Sequence, residues 1–336
     1  MKNKVKIIAE IGVNHNGSLS LAKKLIYHAA NSGADYAKFQ LFQASKLVSE
    51  GTNKADYQSK NTKSLREDQL QMLKRYELSE KDIKILISEC KKNNIGFLAS
   101  AFDERSINFV CNQKVDYIKI PSGELSNIPY IKIIGKTGKK IILSTGMSDL
   151  EEVKSTVNLL FECGIKQGDL CILHCTSNYP AKLKEINLNA MVTMKKEFNV
   201  PVGYSDHSIG WHVSAMAVAM GATFLEKHIT LDNDMDGPDH LASANIKDFK
   251  KYVKKIRETE LILGSGSKIP TKSELRIKEL VTKKIVAKTQ IKKGATLSSV
   301  NLCTMRAQKG ILAKEWESLI GKKAKKDYEI GDLIEI

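Results

Sequence analysis

The sequence predicts an α/β protein, a (β/α)8 TIM barrel followed by a small C-terminal β-rich domain. Three observations carry this prediction. Eight short apolar runs alternate with amphipathic helical patterns from residue 5 to residue 263, close to the ~250 residues that such a barrel takes. No Gly-x-Gly-x-x-Gly follows the first run, which argues against a doubly wound nucleotide-binding sheet. At Gly264-Ser265-Gly266-Ser267 the last helical pattern breaks, and a different pattern begins. The expected division is a barrel over 1–263, a linker over 264–280 and a β-rich domain over 281–336.

The expected strands are 5–13, 36–41, 95–101, 117–121, 140–145, 170–176, 200–206 and 223–230, each a run dense in apolar residues. Between them, 18–32, 79–93, 149–163, 188–198, 210–220 and 246–263 repeat apolar residues at helical spacing. In the last segment, 284–291 and 333–336 read as short strands, with turns at Lys293-Gly294 and Ile330-Gly331-Asp332. A module of that size is marginal alone, so it is expected to pack on the barrel or on a partner subunit.

Composition narrows the function classes. The hydrophobic fraction of 42% is ordinary for a soluble domain. No run approaches the ~20 apolar residues that span a bilayer. The apolar run at 5–8 is too short for a secretion signal and meets Glu10, so a cytoplasmic, non-membrane protein is expected. The six cysteines, at 90, 111, 163, 171, 175 and 303, form no Cys-x-x-Cys pair and read as free thiols. A net charge of +15 raises the question of nucleic acid. The lysines are spread along the chain without interleaved aromatics, so no nucleic-acid partner is expected. The charge reads as a solvated surface whose field draws in anionic substrates.

Catalytic groups of a barrel sit at the C-terminal ends of its strands, and the chemistry-bearing residues fall there. In the first run, alternation puts Ile8, Glu10 and Gly12 on one face, and a carboxylate in an apolar strand needs a partner. The second puts Lys38 and Gln40 opposite Phe39, and the fourth carries Lys119 before Pro121-Ser122-Gly123-Glu124. Two inward lysines repel unless an anion sits between them or a glutamate such as Glu10 or Glu226 pairs with them. Ser100 ends the third run and Ser144-Thr145-Gly146 the fifth, small hydroxyls and a glycine suited to holding phosphate oxygens. The seventh ends Ser205-Asp206-His207 and the eighth Glu226-Lys227-His228. Neighbouring strands lie ~4.8 Å apart, so His207 and His228 can meet at the mouth and hold a metal with open positions. Asp239, in Asp236-Gly237-Pro238-Asp239-His240, is a candidate for sugar hydroxyls.

Taken together, Ala9-Glu10-Ile11-Gly12-Val13-Asn14-His15-Asn16-Gly17, Lys38-Phe39-Gln40, Lys119-Ile120-Pro121-Ser122-Gly123-Glu124, Ser144-Thr145-Gly146-Met147, His174-Cys175-Thr176, Ser205-Asp206-His207, Glu226-Lys227-His228 and Gly237-Pro238-Asp239 resemble the sialic acid synthase family, which makes neuraminic, legionaminic and related nonulosonic acids. The C-terminal domain resembles that family's antifreeze-like (SAF) domain. The resemblance implies a condensation of phosphoenolpyruvate with an N-acetylated hexose, either N-acetylmannosamine or 2,4-diacetamido-2,4,6-trideoxymannose. It implies a divalent metal, Mn2+ before Mg2+ or Co2+, on His207 and His228. Lys38, Lys119, Ser100, Ser122, Ser144 and Ser205 fall at the family's phosphoenolpyruvate site. Gln40, Tyr179 and Asp239 fall at its sugar site, Asn178 among its substrate-binding residues, and Glu10 and Glu124 at its active-site carboxylates.

In that family the SAF domain of one subunit of a homodimer reaches over its partner's site and delivers an arginine, here Arg306. Ala307 and Gln308 stand where Pro-Gly is usual, and Ser177 where Asn is frequent. The expected mechanism gives the proton of the attacking water to Glu124 and the ordering of metal-bound water or of the aldehyde to Glu10. Pseudaminic acid synthesis and another phosphoenolpyruvate-dependent aldol synthase are the alternatives, with a non-catalytic sugar- or metal-binding protein as the rival class. Selection of the sugar is expected in loops such as 55–63.

Overall fold

The computed structural model describes residues 4–62 and 67–335. Eight parallel strands form its centre: β1 (Lys6–Gly12), β2 (Tyr36–Leu41), β3 (Gly96–Ala101), β4 (Tyr117–Ile120), β5 (Lys140–Ser144), β6 (Leu170–Cys175), β7 (Val202–Asp206) and β8 (Phe224–Thr230). Each pairs with the next in sequence, and β1 pairs with β8 to close the sheet into a barrel. The expected strands agree with these to within one or two residues at each end. Only closure removes both sheet edges.

A helix of eight or more residues follows each strand: α1 (Leu19–Asn31), α2 (Glu80–Lys92), α3 (Glu104–Cys111), α4 (Ile128–Gly135), α5 (Leu150–Glu162), α6 (Asn189–Phe198), α7 (His212–Ala219) and α8 (Ile246–Leu263). Local chemistry starts and stops them. Ser79 and Asp82 form a capping box at α2, as do Asp149 and Glu152 at α5. Gly264, at φ 58°, ends α8. The helical patterns in the sequence do not single out α3 and α4. The first is short, and Ile128-Pro129-Tyr130-Ile131-Lys132-Ile133-Ile134-Gly135 is apolar nearly all round, so it shows no polar stripe. The segment between β2 and α2 holds three further short helices, Ala44–Leu47, Asp56–Asn61 and Gln69–Lys74.

Alternation along the strands sorts side chains into two layers. Ile7, Ala9, Ile11, Phe39, Leu41, Ile118, Ile120, Leu143, Tyr204 and Leu225 face outward and pack against the helices in the main core. Ile8, Tyr36, Leu98, Ile142, Cys171, Leu173 and Phe224 face inward and fill the lower barrel as a separate apolar plug. The plug forces polar inward residues to gather above it, toward the C-terminal ends. Truncating Ile8, fully buried in that plug, to alanine is a large-to-small core change of about 2–5 kcal/mol.

The chain divides into two compact units, Met1–Ser265 and Gly266–Ile336. The second holds an antiparallel pair, β9 (Lys283–Ala287) with β10 (Leu302–Arg306), and single bridges Val286–Leu333 and Ile291–Tyr328. Its own core joins Ile285, Ile291, Leu297, Leu302, Leu319, Tyr328 and Ile334. The expected strand 284–291 is therefore paired only to Ala287 and resumes as one bridge at Ile291. Of the expected strand 333–336, Leu333 alone bridges, and Ile336 lies outside the described residues. Within the stretch 264–280, expected as linker, the structure has the helix α9 (Lys272–Val281), started by a capping box of Thr271 with Glu274.

Candidate active site

Above the apolar plug a cavity of about 810 Å³ opens at the C-terminal ends of the strands. Twelve of the residues singled out in the sequence line it: Glu10, Lys38, Gln40, Ser100, Lys119, Ser122, Ser144, Asn178, Tyr179, Ser205, His207 and His228. Register explains the convergence. Glu10 lies beside Lys38 on one side and His228 on the other, Ser100 beside both Gln40 and Lys119, and Ser205 beside Glu226.

The centre is a buried charge cluster. Lys38 Nζ lies 2.8 Å from Glu10 Oε2 and 3.4 Å from Glu226 Oε2. Lys119 Nζ donates to Ser144 Oγ at 2.6 Å and lies 3.8 Å from Glu226 Oε1. Ser205 Oγ donates to Glu226 Oε1 at 2.9 Å. None of the four charged residues is more than 5% exposed, so each ionisation state is set by its neighbours. Burial pushes the Glu10 carboxyl up to about 7 against the pull of Lys38. Burial alone would raise Glu226 too, but Lys119 and Lys38 hold it down at about 2. The Lys38 ammonium, despite burial, is held above its ordinary range by Glu10 and Glu226. Lys119 falls below its ordinary range through burial, with the repulsion of Lys38 working in the same direction.

Of the two sequence readings of the lysines, the pairing with glutamates is what the structure has. Both lysines also line the cavity. Glu226 is the residue the sequence treats only as a counter-charge, although alternation with His228 already puts it on the inward face. Cys175 is a further wall residue, with Sγ 3.2 Å from Ser122 Oγ. Beside it, Gly146 donates its backbone N–H to Ser122 Oγ at 2.9 Å. A Cβ at Gly146 would stand 2.2 Å from Ser177 Oγ and 2.8 Å from Cys175 Sγ, so any larger residue there would have to displace both side chains.

The histidines occupy the other side. His207 and His228 have ring centroids 5.6 Å apart, and Tyr179 lies against His207 at 4.2 Å and edge-on to His228 at 5.6 Å. His207 Nδ1 lies 2.7 Å from the Thr176 carbonyl. A carbonyl only accepts, so Nδ1 carries the proton and Nε2 keeps its lone pair. His228 Nδ1 is buried without a hydrogen-bond partner among the described residues. Burial keeps both rings below the ordinary histidine range, and for His228 the neighbouring His207 and Lys38 add to it. Two neutral imidazoles side by side on the cavity wall, His207 with Nδ1 tied to a carbonyl and Nε2 left with its lone pair, fit a metal with open positions. Among the described residues no group of three His, Cys, Asp or Glu side chains gathers in metal-holding fashion.

Three expected residues are placed elsewhere. Glu124 ends a 3-10 turn, Ser122–Glu124, and accepts from Asn127 Nδ2 at 2.6 Å. Asn127 caps α4, which turns the carboxylate toward that helix and off the cavity wall. Asp239 stands behind His228 rather than on the wall, its Oδ2 3.8 Å from His228 Nδ1. Burial pushes its carboxyl up to about 6. It also faces Gly12, whose φ of +54° and missing Cβ leave room for Glu10, Gln40 and Asp239 together. Arg306 is exposed at the end of β10 in the second unit. Of the loop 55–63, Ala55, Asp56 and Asn61 line the cavity, Asn61 Nδ2 donates to the Pro238 carbonyl at 2.8 Å, and Lys63 lies outside the described residues.

Comparison with known proteins agrees with the resemblance. The NeuB family model matches residues 25–268. An N,N'-diacetyllegionaminic acid synthase of Campylobacter jejuni is 48% identical over 98% of this chain and 99% of that protein. One of Legionella pneumophila is 44% identical over 97% and 92%. Among solved structures, the N-acetylneuraminic acid synthetase of Leptospira borgpetersenii superposes with a TM-score of 0.73 at 33% identity, covering 82% of this chain and 91% of that one. A family model over most of the barrel, two near-full-length relatives and a shared fold make this chain a member of the NeuB family.

Proposed function

We propose that this chain is a phosphoenolpyruvate-dependent nonulosonic acid synthase whose acceptor is 2,4-diacetamido-2,4,6-trideoxymannose and whose product is N,N'-diacetyllegionaminic acid. The single observation that carries the reaction class is the shared cavity in which Lys38, Lys119, Glu10 and Glu226 adjoin His207 and His228. The two legionaminic acid synthases similar over nearly their whole length favour this acceptor over N-acetylmannosamine.

Lys38, Lys119 and the hydroxyls of Ser100, Ser122 and Ser144 bind phosphoenolpyruvate, with the Gly146 N–H beside them. Gln40, Asn61, Asn178 and Tyr179 line the sugar half. His207 and His228 hold a divalent metal, Mn2+ first, with Mg2+ or Co2+ as alternatives. When bound, it supplies Lewis-acid polarisation of the acceptor aldehyde. C3 of phosphoenolpyruvate bonds to C1 of the aldehyde, water adds at C2, and the C2–O bond to phosphate breaks. The aldehyde oxygen needs a proton and the water must lose one. Glu10, poised at about 7, gives the first and takes the second. This moves the proton work from Glu124, turned toward Asn127, to Glu10.

The second unit acts as a SAF domain that caps the site of a dimer partner. Support comes from the exposed Arg306 and from α9, which buries no residue and exposes Leu275, Ile277 and Leu280. The test of the whole reading is a panel of N-acetylated hexoses with phosphoenolpyruvate and Mn2+, read by product mass. The diacetamido sugar should give the dominant product and chelation should stop it. Turnover of arabinose 5-phosphate instead would replace this reading with that of a sugar-phosphate aldol synthase.

A further inference from the structure

The two motifs that supply the histidines carry a second pair of residues that the reaction does not use. Along β7, Ser205 and His207 face the cavity, so Asp206 faces outward. Along β8, Glu226 and His228 face the cavity, so Lys227 faces outward. Asp206 and Lys227 are register partners, and Asp206 Oδ2 lies 3.2 Å from Lys227 Nζ. Both are almost fully buried, at 1% and 3% exposure.

The pair is saturated with further bonds. Asp206 Oδ1 accepts from Ser208 N at 2.9 Å and Ser208 Oγ at 2.6 Å, and Oδ2 accepts from Ser214 Oγ at 2.7 Å. Lys227 Nζ donates to the Ser208 carbonyl and lies over the Tyr252 ring, 5.8 Å from its centroid. Tyr252 Oη donates to Ser214 Oγ at 2.8 Å. Five side chains thus join β7, the turn after it, α7, β8 and α8 in one network, one residue before each histidine.

Stability gives no reason for such a network. A buried ion pair replaced by apolar residues is often neutral or more stable, because desolvating two charges offsets their attraction. Directional bonds do what packing cannot, which is to fix one strand's register and ring height against the next. We infer that Asp206 and Lys227 are positioning residues that hold His207 and His228 at their mutual spacing, acting through the strands from the outer face of the barrel. The inference rests on the metal reading above only for its affinity readout.

The test is the apolar replacement Asp206→Leu/Lys227→Met, with Ser214→Ala as a milder second variant that keeps both charges. Mn2+ affinity is measured by electron paramagnetic resonance, and the ring signals of His207 and His228 by NMR of metal-free protein carrying 15N-histidine. The double variant should stay folded, lose about 10–100-fold in Mn2+ affinity and shift both ring signals. Ser214→Ala should move both readouts in the same direction by less. Wild-type ring signals in the double variant would overturn the inference, whatever its melting temperature. If the wild-type protein itself binds no Mn2+, the metal reading fails, and the ring signals still decide the positioning role. If the double variant does not fold, unshifted ring signals in Ser214→Ala overturn the inference.

Discussion

The two halves of the barrel mouth differ in how their polar groups are partnered. In the lysine half, Lys38, Lys119, Glu10 and Glu226 balance each other's charge, and Ser144 and Ser205 complete the hydrogen bonds. In the histidine half His207 is held from behind by the Thr176 carbonyl and Tyr179 packs on both rings from the cavity wall, while His228 Nδ1 has no hydrogen-bond partner among the described residues. The comparison separates two kinds of readiness. In the proposed reaction the first half would trade a carboxylate for the incoming anion, and the second would receive its metal on rings already in place.

The largest effect should come from breaking the histidine half. His207→Ala/His228→Ala removes both imidazoles and should cut turnover about a thousandfold or more, several kcal/mol of transition-state stabilisation. Steady-state rates with added Mn2+ check this, and Mn2+-restored activity in that variant would end the distinction between the halves. Lys119→Met strikes the other half. It leaves Glu226 with Lys38 alone and should raise the Kd for phosphoenolpyruvate about a hundredfold, in line with 2–5 kcal/mol for truncating one partner of a buried charge pair. Titration calorimetry measures it, and the melting temperature of the variant reports any loss of fold.

A third prediction sharpens the trade itself. An anion beside Lys38 opposes ionisation of Glu10, so binding takes up a proton. In chelated protein the affinity for phosphoenolpyruvate should fall as pH rises through about 7, by at most about tenfold per unit for one coupled proton. Glu10→Gln should flatten that slope. The same raised carboxyl contributes to stability below its unfolded value of about 4.5, and that contribution is lost as pH rises through about 7. The smallest effect belongs to Glu124→Gln. Its carboxylate serves Asn127 at the start of α4, so kcat should stay within about threefold, and the N-cap amide bond it supports is worth about 1 kcal/mol at most. A loss as large as that of Glu10→Gln would bring Glu124 back into the chemistry.

The sequence by itself determined the barrel and most of the cavity wall. Strand alternation has period two and barrel catalysis sits at strand ends. Those two rules are local, and they suffice to place Glu10, Lys38, Lys119, His207 and His228 on one side of their strands. The start of α9 was also written locally, in Thr271 and Glu274, but the Gly-Ser run just before it reads as linker.

Tertiary structure decided what period two cannot express. Glu124 follows a motif that points at the cavity, yet the 3-10 turn and Asn127 rotate it away. Asp239 is distant in sequence from every strand-one residue, yet the space at Gly12 lets it sit behind His228. Glu226 reads as one counter-charge among several, and only closure of β1 onto β8 places it between two lysines. Each of these depends on which atoms a through-space neighbour offers, and hydrogen bonds and Coulomb forces act over distances that sequence separation does not record.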